Sequence, residues 1–195
     1  MGVKYMARRS KQEMQETRAA ILASARKIFS QQGYGKTSMD DLTAQIGLTR
    51  GALYHHFSDK KALFEAVVDE LDLEMDQRLQ QQYESALDPW VGFQARCQLF
   101  LSMAQEQEIQ RIILQDAPAV LLAEENKQQC VHSLQHILIE LIRMKKIIDC
   151  DAEVLARFLH GSLTELAFWI SKSDQQRLLQ AQQSLTQILD RFVIV

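Results

Sequence analysis

Residues 38–60 read SMDDLTAQIGLTRGALYHHFSDK, and their caps, apolar residues and glycines specify two short helices joined by a tight turn. Ser38 stands where a helix N-cap belongs, and Asp41 three residues on is close to a capping box and favourable to the helix dipole. Met39, Leu42 and Ile46 follow at spacings of three and four and so share one face. Gly47 comes directly after them, where a left-handed C-cap favours glycine. Thr49 is placed to cap a second helix, Arg50 to Phe57, with Leu53 and Phe57 on one face, and Ser58-Asp59 reads as the cap of a third. Helix, short glycine-containing turn and helix make the helix-turn-helix layout, whose second helix enters the DNA major groove.

The outward face of that second helix carries the argument further. Arg50, Ala52, Tyr54 and His55 are not needed for a core, and Gly51 costs about 1 kcal/mol of helix stability against alanine. A glycine there implies that something comes close to the backbone. An arginine can fork onto guanine N7 and O6, while tyrosine hydroxyl and lysine ammonium groups suit phosphate oxygens. The alternative for this stretch alone is an ordinary solvated helical hairpin.

Gly33-Tyr34, Thr37 to Leu42, Ile46 to Phe57 and Lys60 to Phe64 together resemble the N-terminal domain of the TetR family of transcriptional regulators. The resemblance is dense over about residues 14–70, and Thr43 and Ile46 depart from it where the family often has alanine. It implies that Thr37, Tyr54 and Lys60 hold phosphates, that Arg50, His55 and the Gly51-Ala52 surface meet base edges, and that Thr49 does either. Ser38 belongs to the same DNA-contacting set.

Composition agrees with an all-α chain: 195 residues hold only two prolines and seven glycines. Residues 1–61 carry eleven Lys/Arg against five Asp/Glu, a charge of +6, which leaves −9 on the rest of a chain whose total is −3. A basic head on an acidic body suits nucleic-acid binding by the head alone. No export signal or apolar run of about 20 residues is present, and Cys97, Cys130 and Cys150 are odd in number and widely spaced, as in a reducing cytoplasm. Nucleophile elbow, phosphate loop, HExxH and paired-carboxylate patterns are all missing, so the reading is not an enzyme and calls for no cofactor. His132 and His136 have helical metal-ligand spacing, but no further cluster completes a metal site.

Three domains are expected: a flexible basic arm at 1–12 with Lys4, Arg8, Arg9 and Lys11, a helix-turn-helix domain at 13–62, and a ligand-binding and dimerisation domain at 63–195. An amphipathic helix from Glu13 to Gln32 with Met14, Ile21, Leu22, Ala25, Ile28 and Phe29 inward backs the motif. Ser58 to about Ser85 reads as one unbroken helix joining head to body, able to transmit a tilt. Asp88-Pro89 starts another, to about Ala104. A shorter helix at about 106–115 follows, then one from Pro118 to about Lys146, one capped by Asp151, and a last capped by Ser173-Asp174.

The body is read as a helical bundle that dimerises. In the family the two C-terminal helices pair with those of a second subunit, and helices apolar on more than one face need a second surface. Leu155, Phe158, Leu159, Ser162, Leu163 and Leu166 on one helix, with Leu185, Ile188, Leu189 and Phe192 on the next, are the expected contacts; Gly161 and Ser162 would admit a close neighbour. The family also usually holds an apolar cavity between the middle helices. Polar groups set among apolar stretches (Arg96, Cys97, His132, His136, His160 and Glu165) and the aromatics Trp90, Phe93, Phe100, Phe168 and Trp169 are the candidates for it.

The expected partners are an inverted-repeat operator in double-stranded DNA, a second copy of the chain and an apolar or aromatic small molecule. The expected function is a ligand-responsive transcriptional repressor. The alternative is a DNA-binding architectural or scaffold protein that uses the fold without an inducer.

Overall fold

The computed structural model describes residues 2–121, 124–171 and 175–194, with side chains from residue 12 onward except those of 122–127 and 171–174. Its contacts divide the chain into two units, Met1–Asp72 with Arg111–Leu121, and Leu73–Gln110 with Leu122–Val195. Among the described residues it is all-helical, apart from one isolated β-bridge between Ile147 and Val193.

The first unit holds α1 (Gly2–Gln32), α2 (Met39–Ile46), α3 (Arg50–His56) and the start of α4 (Lys60–Glu84). The backbone is helical from Gly2, so the stretch expected as an arm continues α1 instead of preceding a helix that starts at Glu13. Side chains of that stretch lie outside the described residues. Met14, which the apolar spacing put inward, is exposed; the buried stripe of α1 begins at Ile21. Gly33 ends α1 at φ 79°, a left-handed conformation that L side chains rarely adopt, and its N–H donates to Phe29 O at 2.8 Å. Phe29, Tyr34 and Phe64 pack as a triad, with Phe29 and Phe64 edge to face at 5.1 Å. Leu42, Leu53, Leu63 and Val67 complete this core, all without solvent exposure.

Residues 111–121 join the same unit. Asp116 accepts the Tyr34 N–H at 2.7 Å and holds Arg111 Nε at 3.2 Å, and the Arg111 guanidinium lies over Gly33. The sequence read 106–115 as α-helix; the structure winds Ile109–Asp116 as a π-helix. Ile109 and Leu114, and likewise Ile112 and Ala117, are buried and five residues apart, the repeat of an i→i+5 helix. The helix expected from Pro118 to Lys146 is broken. One turn, α6 (Ala117–Val120), stops at Leu121, whose φ −105° and ψ 124° are extended, and α7 spans Glu124–Arg143. Leu121 is buried with the first unit whereas α7 belongs to the second, so the chain straightens where it changes core.

The second unit comprises the rest of α4, α5 (Pro89–Met103), α7, α8 (Ala152–Ser171) and α9 (Gln175–Leu189). Asp88 caps α5 as the Asp-Pro pair predicts, accepting from Trp90 N at 2.8 Å, and Lys146 beside it holds its carboxyl below the usual carboxylate range. Asp151 caps α8 through Glu153 N and Val154 N at 2.9 and 3.0 Å. The expected cap at Ser173-Asp174 lies outside the described residues. Phe93, Leu101, Leu138, Leu141, Ala156, Leu159, Leu185 and Leu189 are among the residues that form its core.

Candidate nucleic-acid interface

Each corner of the helix-turn-helix is set by a local hydrogen bond. Ser38 Oγ accepts from Asp41 N at 3.1 Å and Asp41 accepts from Ser38 N at 3.1 Å, the reciprocal pair of a capping box. The same Ser38 hydroxyl also donates to the Asp41 carboxylate at 2.5 Å, and that bond is the main cause holding the carboxyl below its ordinary value. Gly47 sits at φ 72° with its N–H on Thr43 O at 3.1 Å, the left-handed stop the sequence requires. Thr49 Oγ1 accepts from Ala52 N at 3.2 Å and opens α3, and Asp59 accepts from Ala62 N at 2.8 Å and opens α4.

With Leu53 and Phe57 turned inward, α3 presents Arg50, Gly51, Tyr54 and His55 to solvent, while Ala52 is half-buried. A Cβ built on Gly51 meets nothing within 4 Å, so no neighbour in the described chain requires a glycine there. Arg50 Nη1 lies 3.4 Å from Asp40 Oδ1, and its guanidinium carbon is 5.5 Å from the Tyr54 ring centroid. This holds the arginine along the outer surface of the motif.

Two of the expected phosphate ligands have other work. Thr37 is buried and its hydroxyl donates to Gly33 O at 2.8 Å. Lys60 Nζ donates to Tyr34 O and Thr37 O at 2.9 and 2.8 Å and lies 4.0 Å from the Tyr34 ring centroid. Both side chains therefore secure the turn between α1 and α2, which leaves Lys60 one N–H for an outside acceptor. Sequence reasoning missed Arg18, which the fold carries onto the end of α3: its guanidinium carbon is 5.1 Å from the Phe57 ring and the residue is exposed. Its cationic type was the only signal, since a separation of 39 residues from Phe57 carries no spacing rule.

In the second unit the candidate residues separate. Trp90, Phe93 and Cys97 are core members, the two rings stack at 5.8 Å, and burial pushes the Cys97 thiol up to about 12. Arg96 is buried as well, and Phe100, His160 and Phe168 are half-buried. His132, His136, Glu165 and Trp169 are exposed, which takes them out of an interior cavity of this unit. Among the described residues no group of three or more His, Cys, Asp or Glu is placed to hold a metal ion.

The expected interface residues divide in the same manner. Leu155, Leu159, Leu163, Leu185 and Leu189 belong to the unit's own core, with Leu166 and Phe192 half-buried against it. These are intramolecular contacts because α7, α5 and α9 already cover that face of α8. The outer face of α8 instead carries Val154, Phe158 at 57% exposure, Gly161, Ser162 and Trp169, and α9 adds exposed Leu179 and Ile188. A Cβ on Gly161 would meet nothing within 4 Å.

Two capped helices with an open, polar outer face, in an all-helical chain, define a helix-turn-helix DNA-binding protein. Comparison with known proteins narrows this. A model of the tetracyclin repressor-like C-terminal domain matches residues 90–192, and the model of the tetR family of bacterial regulatory proteins matches residues 21–67. A solved TetR-family transcriptional regulator from Pectobacterium atrosepticum is 49% identical, covers 94% of this chain and 97% of its own, and aligns with a TM-score of 0.86. The chain belongs to the tetR family. The HTH-type transcriptional regulator AcrR of Shigella flexneri is 49% identical over 76 residues, 35% of each chain. TtgR of Pseudomonas putida is 44% identical over 66 residues, 34% of this chain and 31% of its own. These two alignments span about a third of those relatives' length.

Among the described residues no helix is long and apolar enough to cross a membrane.

Proposed function

We propose that the protein is a cytoplasmic, homodimeric transcriptional repressor that grips an inverted-repeat operator through α3 and is released by a small molecule held in the second unit. The observation that carries the reading is the outer face of α3. Arg50, Tyr54 and His55 are exposed to solvent around a glycine whose missing side chain serves no contact in the described chain. In this reading Arg50, His55 and the Gly51-Ala52 surface meet base edges, and Thr49, Tyr54 and Arg18 hold phosphates.

Residues 13–62 bind DNA and residues 63–195 carry effector binding and subunit pairing. The apolar outer stripe of α8 and α9 pairs with its copy, bringing two α3 helices about 34–36 Å apart, one turn of duplex. A ligand that lowers operator affinity about 100-fold needs only about 2.7 kcal/mol of coupling. The relatives named as regulators and the nearly full-length match from Pectobacterium atrosepticum support this reading.

Selection of sites from a random duplex library by the purified protein tests it. Enrichment of an inverted repeat with half-sites about one helical turn apart is the expected result. General, salt-sensitive binding with no enriched sequence would overturn it in favour of an architectural role.

A further inference from the structure

The second unit buries a guanidinium that its own side chains satisfy on one side only. Arg96, on α5, has 6% of its side chain exposed. Its Nη2 donates to Asp76 Oδ1 on α4 at 3.1 Å and to Ser133 Oγ on α7 at 2.9 Å. The other terminal nitrogen, Nη1, is equally shut off from solvent and meets no acceptor among the described residues. Arginine cannot relieve this by losing a proton. Buried polar groups in native proteins are nearly always paired, and one that is not carries a lasting desolvation penalty.

The surroundings say what kind of acceptor suits it. Phe93, three residues before Arg96 on the same helix, is fully buried, and Phe100, four residues after, is half-buried, so the face of α5 that carries Arg96 is aromatic on either side of it. Asp76 already neutralises the charge. A second carboxylate on Nη1, an atom shut off from solvent, would leave one net negative charge with part of it desolvated, which is unfavourable. A neutral oxygen would pair the donor and add no charge.

We propose that Arg96 Nη1 is the recognition donor of the effector site, and that the effector is an uncharged, mainly aromatic molecule bearing a carbonyl oxygen. The inference rests on the ligand-responsive reading above and names the chemical class that reading leaves open.

The test uses the full-length protein and matched probes: 2-acetylnaphthalene, its hydrocarbon counterpart 2-ethylnaphthalene and the anion 2-naphthoate, with benzophenone and diphenylmethane as a second ketone–hydrocarbon pair. Affinities are read by titration calorimetry and by the shift in melting temperature. Each ketone should bind about tenfold or more tightly than its hydrocarbon, and 2-acetylnaphthalene about tenfold or more tightly than 2-naphthoate. Arg96→Met, which keeps an apolar stem, should bring the ketone–hydrocarbon ratio close to one. Ser133→Ala leaves Nη1 untouched and should keep the preference. Arg96→Lys keeps the charge facing Asp76 but loses Nη1; it should also lose the preference, and it serves as the readout if the methionine variant does not fold.

Equal affinity for ketone and hydrocarbon would overturn the proposal. So would tighter binding of 2-naphthoate, no binding of any probe, or a crystal structure of the ketone complex with only water on Nη1. Operator selection separates the two claims: an enriched operator without ketone preference sinks only this inference, whereas no enriched operator sinks the regulator reading itself.

Discussion

Arg50 on α3 lies 3.4 Å from Asp40 with 67% and 71% of the two side chains exposed, whereas Arg96 on α5 lies 3.1 Å from Asp76 with only 6% of its own side chain exposed. The chemistry of the two pairs is the same and the consequences differ. In water an ion pair of this kind is worth little and is screened by salt, so Arg50 can exchange its aspartate for another partner at small cost. Arg96 is out of water while 49% of the Asp76 side chain is exposed, so this pair is buried on the arginine side only, and removing the aspartate leaves a shielded guanidinium without a counter-charge. The head therefore holds its arginine loosely at the surface, and the body holds its arginine fast, with one donor unmatched.

Four outcomes would break or sharpen that contrast. The largest effect belongs to Asp76→Ala, which strands Arg96 without a counter-charge and should lower stability by about 3 kcal/mol in urea unfolding. A loss below about 1 kcal/mol, the range of exposed pairs, would mean that Arg96 is hydrated after all and that the two pairs are alike. Next comes Arg50→Ala, expected to leave stability within about 0.5 kcal/mol of the parent while relaxing preference at one base position per half-site by about 1–3 kcal/mol. Unchanged specificity across operator variants would remove Arg50 from the base-reading set.

Ser38→Ala removes the cap of α2 and should cost about 1 kcal/mol. It also changes the acid arm of the stability profile. The Asp41 carboxyl is held below its ordinary value of 3.8, chiefly by the Ser38 hydroxyl. A carboxyl so depressed stabilises the fold above its unfolded pKa, and the contribution fades as pH falls through the folded value. In Ser38→Ala that part of the acid slope should flatten; a parallel profile would show that the bond does not matter in solution. Asp40→Asn is the smallest effect, under about 0.5 kcal/mol of stability. Freed of its anionic neighbour, Arg50 should bind all duplexes somewhat more tightly at low salt, with a narrower gap between operator and random DNA.

The motif was legible because its signals are local. Ser38 and Asp41, Thr49 and Ala52, and Asp59 and Ala62 satisfy one another across three residues, a distance that spacing alone specifies. The body was less legible. On α8 apolar residues occupy both the face covered by the rest of the unit and the face left open, so periodicity cannot say that Leu155, Leu159 and Leu163 go inward while Val154 and Phe158 stay out. The break at Leu121 was equally hidden, since nothing in its neighbours marks the point where the chain leaves one core for another.

The amino-acid order by itself determined the family, the all-helical class and the capped motif, together with a basic first part and an acidic remainder, because caps, glycine stops and charge counts are properties of neighbouring residues. Only the tertiary structure decided that Lys60 secures carbonyls 26 and 23 residues away and that Arg96 meets Asp76 and Ser133 across 20 and 37. It likewise chose which side of α8 stays open. Partners so distant in sequence are brought together by packing of apolar faces, a non-directional force that fixes neighbours only once the whole core has formed.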